Sequence, residues 1–169
     1  METMKVGYET SLNEYIQQER TAVKLTNSIG HLMFDKGVEL VFFRNHMVDI
    51  SISELLNLFE YAKNVVEKPL EIDLVNDIVE ELYKMDLAPS KIDIGKLSNE
   101  YLEQAETNNS ISSFLNQKLK NFIGEENHNF SPQDVILYGF GRIGRIAARE
   151  LIKQAGKGQQ LRLRAIVLR

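Results

Sequence analysis

Asp134-Val-Ile-Leu-Tyr-Gly139-Phe-Gly141-Arg-Ile-Gly144-Arg-Ile-Ala-Ala-Arg-Glu-Leu-Ile-Lys153 is the stretch that decides how this chain folds. Val135 to Tyr138 is a continuous apolar, β-prone run of the kind buried on both faces of a parallel sheet. It leads straight into Gly-x-Gly-x-x-Gly. A bare match of that kind arises by chance in roughly 3% of chains with this glycine content, so the flanking residues must decide its meaning. After Gly141, the positions Ile143, Ala147, Leu151 and Gly144, Ala148, Ile152 fill about half of a helix circumference, an arc that can lie on a sheet. Arg142, Arg145, Arg149 and Lys153 occupy the opposite arc. Gly156-Lys-Gly158 closes the helix, and Leu161 to Val167 reads as a second strand. The unit is βαβ.

Such a unit favours anion binding. Gly139 allows a tight turn, and Gly141 has no Cβ to block a ligand. The first free N–H groups of the helix then point at a diphosphate, with the positive end of the macrodipole behind them. Small residues at Gly144, Ala147 and Ala148 permit close approach of helix to strand. A phosphorylated ligand is expected over Phe140 to Ile143. A ligand-free glycine-rich turn remains the alternative, and the basic arc reads first as a solvated face.

Outward from this unit, the character of the chain changes. Residues 1–130 carry 12 Lys and Arg against 22 Asp and Glu, whereas residues 131–169 carry 8 against 2. Five of the ten glycines fall in the last 39 residues, so two segments meet near residue 130. In the first, Ser11 and Glu14 form a capping-box pattern, followed by Leu12, Tyr15, Ile16, Ala22, Val23, Ile29 and Met33 at helical spacing, interrupted by Glu19 and Thr26. Val38 to Phe43 is β-prone, a strand or a buried extended link. Further helices are expected along Ile52 to Val66, with Ser51 or Ser53 as cap and Pro69 as stop, and along Leu74 to Met85. Two shorter ones follow Ile94, Leu97, Tyr101, Ala105 and Ile111, Phe114, Leu115, Phe122. These stripes are expected to pack on one another as a helical bundle.

The 169 residues hold 43% hydrophobic and 26% charged side chains and no cysteine, which excludes a disulfide framework, a thiolate zinc site and a cysteine nucleophile within them. No apolar run approaches the roughly 20 residues of a membrane span, and the start lacks a secretion pattern, so the expected compartment is the cytoplasm. His31, His46 and His128 are too scattered for a metal site, and none is expected. Glu71, Asp73, Asp77, Glu80 and Glu81 alternate with an apolar stripe and read as a solvated face. The acidity of the larger segment opposes nucleic-acid binding by the Arg/Lys arc.

Tyr-Gly139-Phe-Gly-Arg-Ile-Gly-Arg145 resembles the amino-terminal nucleotide-binding signature of phosphorylating glyceraldehyde-3-phosphate dehydrogenase, and Leu163 to Val167 fits that family's second strand. Residues 1–130 are similar to the helical extension of a long bacterial form of that enzyme. The resemblance implies an α + α/β fold: a mainly helical domain over 1–130 and, over 131–169, the first βαβ unit of a Rossmann-type NAD(P)-binding domain. It implies an amino-terminal fragment of a cytoplasmic, homo-oligomeric dehydrogenase. Gly139, Phe140, Gly141, Arg142, Ile143 and Gly144 would bind the dinucleotide, chiefly through the backbone of Arg142 and Ile143. No catalytic residue is assigned, because the family's cysteine and histidine lie downstream of this motif. The small phosphorylated aldehyde belongs to the full-length parent. Tyr138 departs from the family's usual asparagine without threatening the phosphate site. After the second strand, Leu168 and Arg169 stand where the family presents an acid to the adenosine ribose; Arg169 is the seventh candidate cofactor-binding residue, able to tolerate or attract a 2′-phosphate, which leaves NAD and NADP both open. The competing reading is a helical interaction or regulatory module with a ligand-free basic tail. Limited proteolysis is expected to cut near residues 124 to 133 and leave residues 8 to 122 folded.

Overall fold

The computed structural model describes residues 2–66, 69–104, 110–124, 131–154 and 161–168. His128 and Arg169 lie outside the described residues, as do Gly156 and Gly158 and the junction at residues 125–130.

Helix α1 (Glu2–Lys36) is 35 residues long and starts upstream of the expected cap. Ser11 and Glu14 therefore sit within it: no proline breaks the chain before Ser11, and a capping box works only where the preceding backbone leaves the helix. Ala22, Leu25, Ile29, Leu32 and Met33 turn one buried face inward. Both polar interruptions are locally satisfied, because Tyr15 Oη donates to Glu19 Oε1 at 2.8 Å and Thr26 Oγ1 donates to the Ala22 carbonyl at 2.8 Å. Gly37, at φ +70°, ends the helix and donates its amide to Met33 O at 3.1 Å, a left-handed stop that glycine adopts at little cost.

The β-prone stretch is a strand, β1 (Val38–Phe42), and its partners make the region more than a bundle. β1 pairs antiparallel with β2 (Asn45–His46) and parallel with β3 (Ser90–Asp93), in the order β2-β1-β3. Helices α2 (Ile52–Ala62) and α3 (Ile72–Lys84) connect β1's hairpin to β3. The helices pack on one another as expected, and the strand joins them: Val38, Leu40 and Phe42 are buried in the same core as Leu25, Leu55, Phe59, Val75 and Leu82. α2 is capped by Ser51, whose Oγ accepts the Glu54 amide while Glu54 Oε2 accepts the Ser51 amide at 2.7 Å. It ends at Ala62, short of the expected Val66. Helices α4 (Ile94–Glu103) and α5 (Ile111–Lys118) follow, capped by Asp93 and Ser110. A short 3₁₀ turn (Lys120–Phe122) then brings the chain back, with Ala88 N donating to Phe122 O at 2.8 Å and Gly124 N to Asp86 O at 3.3 Å. Glu71, Asp73, Asp77 and Glu80 are exposed along α3.

The glycine-rich stretch forms β4 (Gln133–Tyr138), α6 (Arg142–Gln154) and β5 (Leu161–Val167), the two strands parallel. The whole is an α + α/β protein: a mainly helical region with a small mixed sheet, followed by one βαβ unit. Among the described residues, no helix is long and apolar enough to cross a membrane.

Candidate functional site

β4 and β5 pair in parallel, with one shift of register between Val135 and Ile136, as far as their carboxyl ends, where Tyr138 pairs with Val167. One step beyond, Gly139 N donates to Val167 O at 2.7 Å and pins the strand ends side by side. Gly139 then takes φ +98°, a conformation that costs an L side chain about 1–2 kcal/mol, and turns the chain toward α6. Arg145 N donates to Gly141 O at 3.0 Å and closes the first helical turn. The amides of Arg142, Ile143 and Gly144 precede that bond and so are not consumed by the helix.

Gly144 explains how closely the helix lies on the strand. A Cβ there would collide with the Gly139 carbonyl oxygen and stand 3.2 Å from its carbon. Beside it, Ala148 is 5% exposed and Ala147 half-buried. The seam is narrower than the expected arc: Gly144, Ala147, Ala148 and Leu151 line it, whereas Ile143 is 82% exposed and Ile152 also faces outward. The opposite arc is not purely basic, because Ile146 is exposed among Arg142, Arg145 and Arg149.

At the tip itself, a Cβ on Gly139 or Gly141 would meet no atom within 4 Å. Unconsumed amides, an open cradle and the positive end of a 13-residue helix therefore share one corner. That arrangement can receive an anion through main-chain N–H groups. The structure thus brings together Gly139, Phe140, Gly141, Arg142, Ile143 and Gly144 in a single turn, with Arg142 and Arg145 exposed around it. Arg169, the seventh residue singled out, lies outside the described residues.

Two further features bear on this corner. On the sheet face away from α6, Ile136 and Tyr138 are 63% and 74% exposed, next to half-open Val167. At the other end of the strands, Asp134 accepts from Arg162 at 3.0 Å and Arg164 at 3.2 Å across a break in register at Val135/Ile136. Nothing in the sequence pattern announces that break, because it adds one residue to an otherwise regular strand. Elsewhere, among the described residues, no group of three or more His, Asp or Glu could hold a metal ion. His31 meets Asp35 at 2.8 Å and His46 meets Glu39 at 3.0 Å, both near the surface.

No protein-family profile matches the chain. Over 145 residues it is 32% identical to a glyceraldehyde-3-phosphate dehydrogenase-like protein of Pseudomonas aeruginosa (strain UCBPP-PA14), an alignment covering 83% of this chain and 31% of the relative. The chain thus spans about a third of the length of the curated relative it matches. Since the βαβ segment offers only 39 residues, most of the aligned residues must lie in the helical region. The similarity points to a glyceraldehyde-3-phosphate dehydrogenase-related family.

Proposed function

We propose that this chain is the amino-terminal part of a cytoplasmic, homo-oligomeric, NAD(P)-dependent dehydrogenase of the glyceraldehyde-3-phosphate type, and that its own task is to seat the dinucleotide diphosphate. In the full-length enzyme a small phosphorylated aldehyde would be oxidised and phosphorylated to an acyl phosphate, its hydride passing to the nicotinamide. No cysteine is present in these 169 residues, so the nucleophile belongs to another part of that enzyme. The observation that carries this reading is the open corner at Gly139–Gly141, with three amides ahead of the first helical bond. The residues fit a diphosphate because a Cβ would fill the very space the anion needs.

Isothermal titration of the chain with NAD, NADP and ADP tests the reading. Binding is expected for the unaltered chain, with a loss of at least tenfold in Gly141→Val. Gly141 has open space around it, so the substitution should leave the thermal transition in place. Affinity that Gly141→Val leaves unchanged would place the ligand elsewhere and defeat the proposal.

A second reading is favoured by a separate observation. Tyr8, Leu12, Tyr15 and Val23 form an exposed apolar stripe along α1, which suits a helical interaction module. It predicts self-association or partner capture that Leu12→Glu abolishes, with no response to dinucleotide.

A further inference from the structure

We propose that the outward face of α6 docks antiparallel on α3 of a second copy of this chain, and that a two-fold axis makes the contact twice. The proposal gives the homo-oligomeric reading above a surface and rests on that part of it alone. On α6, Arg142, Arg145 and Arg149 are exposed, and their side chains pair with no described residue. Steps of three and four hold them within about 60° of the helix circumference, in one row about 10 Å long. On α3, Asp73, Asp77 and Glu80 are exposed, and steps of four and three make a second row of the same width and length. Run in opposite directions, the two spacings coincide. Arg149 then faces Asp73, Arg145 faces Asp77 and Arg142 faces Glu80, with the helix dipoles opposed as well.

The acids have capacity to spare. Asp73 accepts from Thr21 at 2.7 Å and Glu80 from Asn76 at 3.0 Å, each through one oxygen, while Asp77 pairs with no described residue. The single acid of α6, Glu150, is already engaged. Shape agrees with charge. Ile146, 55% exposed, projects beside the arginine row. In the antiparallel arrangement it turns to the side where Ser110, Ile111 and Ser112 wall a groove of about 330 Å³ with Asp77, Glu80 and Glu81. In a parallel arrangement it would turn away. Both rows face solvent in the same copy, so the fold of one copy does not close them on each other. A second copy carries both, which makes the surface self-complementary. Exposed ion pairs are individually weak and screened by salt, so the association is reversible and salt-sensitive.

Sedimentation equilibrium of the full chain tests the contact. A reversible dimer is expected at about 20 mM salt, weakened roughly tenfold or more at about 0.5 M. Arg145→Glu and Asp77→Arg each set like charges against each other and should each weaken the dimer by roughly tenfold or more. Mixed in equal amounts, the two variants should recover the unaltered affinity as a heterodimer, because one contact keeps the original pair and the other has it reversed. Both positions are exposed, so the thermal transition should stay in place. Leu12→Glu should leave the dimer intact. A dimer indifferent to salt and to both reversals, or one lost in Leu12→Glu, would overturn the assignment to α6 and α3 while leaving the homo-oligomeric reading standing. Two weakened variants that fail to recover on mixing would show a diffuse field and overturn the pairing of the rows. A monomer at every concentration in low salt would defeat the homo-oligomeric reading as well.

Discussion

Three glycines in one turn do three different jobs, and substitution separates them. Gly144→Ala forces a methyl group onto the Gly139 carbonyl, so α6 must lift from β4. The expected cost is about 1–3 kcal/mol, read as accelerated amide exchange confined to residues 131–168. Gly139→Ala meets no atom but must hold φ +98°, and about 1–2 kcal/mol is expected in the same measurement. Gly141→Ala should cost little stability. Those roles were legible in the spacing of the motif, because each follows from the absence of a Cβ. The turn at Phe43 and Arg44 was not legible. Both residues hold positive φ, 45° and 70°, in a two-residue hairpin that ordinarily calls for Asn-Gly. The compensation comes from 50 residues away, where the Asp93 carboxylate accepts the Phe43 amide at 2.9 Å and the Arg44 amide at 3.2 Å. Arg44→Gly should raise stability by about 1 kcal/mol in urea unfolding, since glycine takes that conformation without strain.

At the scale of elements, caps and strand pairings carry the helical region. Asp93 also accepts the Lys96 amide at 3.2 Å as the cap of α4, so one carboxylate ties the β1–β2 hairpin to β3 and α4. Asp93→Ala should therefore cost more than the roughly 1 kcal/mol of an ordinary cap such as Ser110→Ala, by about 1–2 kcal/mol in a denaturant titration. The capping box of α2 has a pH signature. Ser51 amide and hydroxyl bonds to Glu54, the amide first, hold its carboxyl below the ordinary range. A lowered folded-state pKa means that the unfolded chain binds the extra proton first. This stabilisation is therefore complete above the unfolded value of about 4.3 and fades as pH falls through the folded one. Glu54→Gln should shallow the acid limb of stability against pH and leave a smaller difference between neutral and acid urea midpoints. The cap at Ser51 was plain from Ser-x-x-Glu, whereas Ser11-x-x-Glu14 carried the same pattern without the function, because the backbone before Ser11 is already helical. Sequence alone also missed β3: Ser90 to Asp93 is four residues with one apolar side chain, and only its pairing with β1 makes it a strand.

For the whole molecule, the two regions differ in how much apolar surface they bury. The helical region holds a connected core from Ala22 to Leu119, whereas in residues 131–168 Ala148 alone among the described apolar side chains is buried. Two parallel strands and a helix are below what stands independently in water. Residues 1–124 expressed alone should keep the cooperative thermal transition of the full chain, while residues 131–169 alone should show little ordered structure by circular dichroism and amide exchange. Ile136 and Tyr138 leave an apolar sheet face open to solvent, a site prone to association. The helices and the βαβ unit were readable from apolar periodicity and the glycine-rich turn; the mixed sheet within the first region was not, since its β1–β3 pairing joins residues such as Val38 and Ser90, far apart in the chain.

Closure of the first region at Gly124 has a consequence for synthesis. Its last core side chain, Leu119, and the Gly124–Asp86 bond both precede the glycine-rich turn in the chain, so they can form before that turn has left the ribosome. A nascent chain can thus carry an already folded, strongly acidic globule ahead of its sticky sheet, and like-charge repulsion between such globules on neighbouring polysomes would keep the unfinished strands apart.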